Sequence, residues 1–210
     1  MGKATESYEK LGLYVSNSDF TFDISNEPTI EDFEKVIGEK TTLVAKCVPN
    51  TEEFFLPKGG KVREYFDPDN ENYDGKKIDY IEEDSAWRDN DNEWLYCLVY
   101  NDHIVKLGMT ITSLKTRYGS YSCGTDRAMK KGSCSTTNFI ISECNTHAVM
   151  NNIEVGIYGI SIPKKIEKET RFGVTKGCIY STVRDKETML TEAFKNAYGH
   201  KPVLCVQEGK

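Results

Sequence analysis

The stretch WLYCLVYNDHIVKLGMT, residues 94–110, decides the fold. Two runs of β-forming residues, WLYCLVY and HIVKLGMT, flank Asn101-Asp102. A pair of turn-prone residues between two apolar runs is a β-hairpin signal, because a short turn lets the runs hydrogen-bond to each other. Lys106 stands out in the second run. A lone ammonium inside Val105-Lys106-Leu107 either faces water from an edge strand or has a chemical role.

Downstream, TSLKTRYGSY (112–121) reads as a short helix capped by Thr112 or Ser113. Its Arg117 and Tyr121, four apart, share a helical face. SCGTDRAMKKGSCSTTN (122–138) reads as a polar, basic loop, and FIISECNTHAVMNN (139–152) fits neither the helical nor the strand period clearly. IEVGIYGISI (153–162) alternates as a strand, and RFGVTKGCIYSTV (171–183) is expected to be extended. DKETMLTEAFKNAYGHKP (185–202) has apolar residues at helical spacing; Asp185 is the expected cap, and Gly199 and Pro202 end it.

Upstream, EPTIEDFEKVIGEK (27–40) reads as a helix opened by Pro28-Thr29 and closed near Gly38. LGLYVSN (11–17), FTFDIS (20–25) and TTLVAKCV (41–48) are expected strands. Residues 66–93, rich in Asp and Asn and poor in aliphatics, read as a loop or linker. Its DPDNENYDG lacks the terminal glutamate of a calcium-binding loop. The pattern divides the chain into an acidic N-terminal module with linker, 1–92, and a second domain, 93–210.

Charge follows the same division. The 210 residues carry a net charge of −6, but residues 1–93 hold 23 acidic and 11 basic side chains, a net of −12, and residues 94–210 hold 10 and 16, a net of +6. A basic half concentrates phosphate polyanions, which the whole-chain charge would argue against. No apolar run approaches the length of a membrane-spanning helix, and the polar N-terminus predicts no secretory leader and no membrane partner. Seven cysteines without a CxxC pair and three scattered histidines predict free thiols, no zinc site and a cytoplasmic setting.

Two places spell pieces of a nuclease signature. Gly156-Ile157-Tyr158 carries the letters GIY, but the charged PKKIEKET follows it and no suitably spaced Arg-x-x-x-His/Tyr helix comes after, so it reads as a strand only. The hairpin fits better. Trp94-Leu95-Tyr96 stands in the GIY position, Lys106-Leu107-Gly108 in the YIG position, and Arg117 and Tyr121 follow. With VKLGMTITSLKTRYGSYSCGT, KKGSCSTTNF, FGVTKG and TEAFKNAYGHKPVLCVQ, residues 93–208 resemble the small type II restriction endonucleases of the GIY-YIG superfamily, in particular those cutting TCNGA-type sites. Residues 1–92 carry no such resemblance.

The resemblance implies an α+β GIY-YIG nuclease fold, with a small, mainly antiparallel three-stranded sheet flanked by helices and an added N-terminal module. It implies Mg2+-dependent, site-specific cleavage of double-stranded DNA leaving 5′-phosphate ends, with Mn2+ able to substitute. It makes Tyr96 the general base, helped by Lys106, Arg117 a partner of the scissile phosphate, and Tyr121 a partner of that phosphate or of a metal-bound water. Gly108 is its structural glycine. A single carboxylate would serve as metal ligand; the C-terminal match puts it on Glu187, with Glu154 and Glu192 as alternatives. Arg127, Lys130, Lys131, Ser135, Thr136, Thr137, Asn138, Arg171 and Lys176 are the expected DNA-binding side chains, since lysines hold phosphates and Asn, Arg, Ser and Thr read base edges. A homodimer fits a palindromic site, and a methyltransferase for the same site is the expected companion. One departure is Met109, where the subgroup tends to carry histidine. Two other readings fit these residues: a loosely specific nuclease of a mobile element or virus, and a DNA-binding relative that does not cut.

Overall fold

In the computed structural model, residues 24–55, 64–70 and 72–205 are described; the strand expected at 11–17 and most of that expected at 20–25 lie outside them. The hairpin forms as expected, β3 (Asn92–Tyr100) against β4 (His103–Thr110). Asn101 and Asp102 at its turn have φ of 45° and 71°. A two-residue turn needs both central residues in this left-handed region to match the twist of the strands, and Asn and Asp tolerate it.

The sheet around the hairpin has five strands, not three. Its order is β2-β1-β5-β3-β4, antiparallel throughout, with β1 at Thr42–Pro49, β2 at Ile78–Glu82 and β5 at Val155–Pro163. The segment 1–92 therefore supplies two strands to the same sheet as the hairpin, and residue 93 lies inside β3. The loop expected over 66–93 contains β2 and a 3-10 turn, Ser85–Arg88. Only Ile78 and Tyr80 of β2 point inward and are buried, so acidic neighbours mask its apolar pattern.

Helices cover both faces. Trp94, Tyr96, Leu98 and Tyr100 pack against α2 (Leu114–Ser122) and α4 (Thr136–Met150). Leu95, Cys97 and Val99 pack against α1 (Ile30–Ile37) and α5 (Val183–Tyr198). Strand β3 is thus buried on both sides, which explains its unbroken apolar run. Between α2 and α4 lies α3 (Asp126–Lys130), so the stretch read as a basic loop is a short helix and a helix start. Thr125 and Ser135 cap these helices through backbone N–H bonds of 3.1 Å from Ala128 and Asn138. The ambiguous 139–152 is most of α4: its buried residues lie around much of the helix, including Asn145, which accepts from Tyr100 Oη at 2.6 Å and donates to Tyr80 Oη at 3.1 Å.

Helix α1 keeps its expected ends, Thr29 accepting from Asp32 N and Gly38 at φ 68°. Helix α5 begins earlier than expected: Thr182 holds the N-cap position and Asp185 lies in the first turn, because Val183 is already buried. Residues 165–180 form a separate two-stranded ribbon, β6 (Lys165–Arg171) with β7 (Val174–Tyr180). No helix among the described residues is long and apolar enough to cross a membrane. All seven cysteines are free thiols.

Candidate active site

Strand register places Tyr96 between two glycines, Gly108 of β4 on one side and Gly159 of β5 on the other. A Cβ on Gly108 would lie 2.4 Å from Tyr96 Cζ and Oη, so the ring lies directly across the Gly108 backbone. A Cβ on Gly159 would lie 3.0 Å from Leu114 Cδ1 and 3.1 Å from the Trp94 ring. Gly159 belongs to the stretch that spells GIY, and its contribution is room for the packing around Trp94. An isolated glycine in an apolar strand was the available signal for it.

Helix α2 starts at Ser113, whose Oγ accepts from Thr116 N, and sinks Leu114, Tyr118 and Tyr121 into the core. This rotation brings Arg117 and Tyr121 over Tyr96. Arg117 Nη2 donates to Tyr121 Oη at 2.8 Å, Arg117 Nε donates to Tyr96 Oη at 3.3 Å, and the two phenol oxygens lie 2.9 Å apart in a shared hydrogen bond. The guanidinium carbon lies 4.6 Å from the Tyr121 ring centre, a cation–π contact. Tyr118, which sequence reasoning passed over, stacks edge-on against both Tyr96 and Tyr121 and keeps their rings in place.

Burial pushes the Tyr96 phenol well above its ordinary pKa, and Tyr121 adds to this; Lys106 and Arg117 pull it down. Burial opposes the charge on Arg117, but the two phenols outweigh it and the guanidinium stays protonated. Lys106 is half-buried, two residues along β4 from Gly108, and its Nζ reaches Leu204 O at 3.5 Å.

Glu187 lies half-buried in the first turns of α5. Desolvation raises its pKa, while Lys106, Arg117 and Arg184 act to lower it. The carboxylate thus shares one electrostatic neighbourhood with the lysine of β4 and the arginine of α2. The other two glutamates lie elsewhere. Glu154 is exposed at the turn end of the hairpin, where its carbonyl accepts from Asn101 N and its carboxylate pairs with Lys46 at 2.5 Å. Glu192 is exposed further along α5. No three His, Cys, Asp or Glu side chains among the described residues group to hold a metal, so a cation here would take one protein carboxylate. Glu187 suits that part: its carboxylate makes no hydrogen bond or ion pair among the described residues, and a hard cation accepts oxygen ligands from water and phosphate for the rest. Met109 sits opposite Leu95 and packs with the α5-side core, on the other face from Tyr96.

The expected DNA-binding residues fall into three groups. Arg127 is held by Asp74, Nη2 at 2.6 Å and Nε at 3.0 Å, with Glu64 at 3.6 Å. Lys130 and Lys131 are exposed at the end of α3. Ser135, Thr136, Thr137 and Asn138 form the start of α4, where Ser135 serves as the cap. Gly124 lets the loop before α3 touch this turn, since a Cβ there would lie 2.4 Å from Asn138 O. Arg171 and Lys176 are on the β6–β7 ribbon, and Arg171 pairs with Glu169.

The sequence matches no protein-family profile and no curated protein. In solved structures the fold recurs. The restriction endonuclease HPY188I, solved in complex with product DNA, superposes with a TM-score of 0.51 at 24% identity, over 93% of this chain and 98% of that one. The EndoII of bacteriophage T4 gives a TM-score of 0.43 at 14% identity, over 80% of this chain and 95% of that one. The chain therefore has a mixed α/β fold shared with a restriction endonuclease, with a five-stranded antiparallel sheet as its centre.

Proposed function

We propose that this protein is a GIY-YIG-type endonuclease that hydrolyses both strands of DNA at a defined site. The observation that carries the reading is the hydrogen-bonded triangle of Tyr96, Tyr121 and Arg117, next to Lys106 and Glu187, on a fold shared with a restriction endonuclease. Phosphodiester hydrolysis needs a base for the attacking water, cationic donors for the phosphate, and relief of charge on the departing oxygen.

Each residue has a part. Tyr96 Oη, as phenolate, takes a proton from the water that attacks phosphorus. Lys106 and Arg117 favour that phenolate, since both act to lower its pKa. Arg117 spends two of its five N–H donors on the phenols and keeps the others for phosphate oxygens. Tyr121, hydrogen-bonded to Tyr96 and to Arg117, fixes the position of both. The bond from phosphorus to the 3′ oxygen breaks and that oxygen takes up a proton from solvent, giving 5′-phosphate and 3′-hydroxyl ends. Glu187 is the residue that would hold Mg2+, or Mn2+ in its place; when bound, the cation supplies positive charge at the phosphate. A two-fold dimer on a palindromic site, and a methyltransferase protecting that site, complete the proposal, with the cytoplasm as its setting.

The test is incubation of the purified protein with unmethylated plasmid and phage DNA in Mg2+, with Glu187→Ala beside it and the ends sequenced. Discrete fragments that vanish in the variant are expected. A random smear would turn the reading to a nuclease of loose specificity, and binding without any cutting in Mg2+ or Mn2+ would turn it to a DNA-binding protein.

A further inference from the structure

The β6–β7 ribbon takes no part in the chemistry above. It forms a sheet of its own, and its described side chains are exposed apart from the half-buried Glu169 and Cys178. At its tip is Phe172-Gly173, with φ of 53° and 75°. The first position of such a turn favours Asn, Asp or Gly, which tolerate positive φ; here it carries a phenylalanine that is 101% exposed. Its ring makes no aromatic contact among the described residues. With Ile166 and Val174, 67% and 65% exposed, it makes the ribbon an exposed apolar surface, the kind that marks a contact site.

The charges around the tip say what it contacts. Both glutamates of the ribbon are neutralised locally, Glu167 by Lys165 at 2.5 Å and Glu169 by Arg171. Lys168 and Lys176 have no ion-pair partner among the described residues. The arm therefore presents an apolar wedge flanked by surplus positive charge. A base step bounded by phosphates matches both properties at once, whereas the same ribbon on a second copy would bring like charge against like.

We propose that the ribbon is a DNA-reading arm in which Phe172 inserts between base pairs and unstacks them, while Lys168 and Lys176 hold the adjacent phosphates. This rests on the reading that the substrate is duplex DNA. It places a deformation-sensing contact away from the hairpin that carries Tyr96, so part of the specificity would come from how easily a step opens.

The experiment uses the full chain on relaxed plasmid in Ca2+, with a metal-independent topoisomerase reporting unwinding and cleavage followed separately in Mg2+. Wild-type protein is expected to lower the linking number in proportion to protein bound. Phe172→Ser is expected to lose that change and bind about tenfold more weakly, the scale of one lost base–aromatic stack, whereas Phe172→Trp keeps both. Since residue 172 is fully exposed, an unchanged melting temperature is the control for folding. The arm is refuted if Phe172→Ser unwinds DNA as wild type does, if wild type binds and cuts without unwinding, or if the serine variant instead splits a dimer in sedimentation. Failure of the wild type to bind or cut any plasmid would overturn the nuclease reading as well, and so is distinguishable from failure of the arm alone.

Discussion

Tyr96 and Tyr121 meet oxygen to oxygen at 2.9 Å inside the protein, one from a strand and one from a helix, with Arg117 donating to both. Two phenols share one proton position here, and a cation caps the pair. Tyr121 adds to burial in raising the Tyr96 pKa, and Arg117 with Lys106 acts against both.

The first prediction concerns pH. The Tyr96 pKa is raised, so the phenol is the resting form at neutrality and the phenolate fraction grows tenfold per pH unit below that pKa. Single-turnover cleavage is expected to climb with unit slope across pH 6–9. Tyr96→Phe should lose about 10³-fold or more in rate, in keeping with removal of a general base. Tyr121→Phe removes a group that raises the Tyr96 pKa, so the alkaline climb should shift downward, with about a tenfold lower rate on its plateau because Tyr96 and Arg117 lose a positioning partner. An unchanged pH profile in Tyr121→Phe would remove it from the tuning of Tyr96.

Two glycines give a matched pair of tests. Gly108→Ala forces a Cβ to 2.4 Å from the Tyr96 ring, so it should displace the base and cost about 1–3 kcal/mol through overpacking. Gly119 lies in α2 with nothing within 4 Å of its would-be Cβ and no positive φ. Gly119→Ala should therefore stabilise by about 0.4–1 kcal/mol. Its cleavage reads out whether DNA needs the backbone there: full activity is expected, and a binding defect would mean the duplex touches Gly119.

Lys77 links the acidic half to the helices. It lies at 2.9 Å from Glu143 of α4 and 3.0 Å from Asp126 of α3, and its side chain is 17% exposed. Burial raises the Glu143 pKa even with this partner. Lys77→Ala leaves Glu143 uncompensated and should cost about 1–2 kcal/mol, less than for a fully buried pair because both acids reach solvent. Thermal unfolding would show a fall of a few degrees, and recovery in Lys77→Ala/Glu143→Gln would assign it to the stranded carboxylate.

How much of this was legible from the chain depends on where each pattern is local. The hairpin was readable because β3 is apolar from Trp94 to Tyr100 and Asn101-Asp102 marks the turn. That Arg117 and Tyr121 share a helical face was readable from a spacing of four, whereas their roles came only from the resemblance. Strand β2 was not, since two inward residues among acids leave no alternation, nor was the pairing of β1 with β5, because contacts between Cys47 and Val155 are set by the tertiary fold. Helix α4 hid because it is buried around much of its girth, so its apolar residues keep no single face. Strand β6 hid for the opposite reason: water lies on both sides of KIEKETR, so neither face needs to be apolar. At the site, residue types and their order were readable, but the burial of Tyr121 and the ring of Tyr96 lying across Gly108 required the packed structure.

Glu187 sets function against stability. Its pKa is raised by burial, so the folded state disfavours the ionised form. The sign follows: the group's contribution is intact below the ordinary glutamate pKa and is lost as pH rises through the raised folded value. Replacing it by neutral glutamine should remove that loss. Glu187→Gln is expected to melt with the wild type near pH 4 and above it at pH 7–8, while losing Mg2+-dependent cleavage. Activity of the wild type should fall on acidification at a pH above the usual glutamate range, because the carboxylate must be ionised to hold a cation. Adding Mg2+ should raise the melting temperature of wild type and leave Glu187→Gln unmoved, since a ligand that binds only the native state stabilises it by mass action. A glutamine variant that melts below wild type at pH 7–8 would mean that Lys106 and Arg117 gain more from the charge than burial costs, and the carboxylate would then be a structural partner of those two cations.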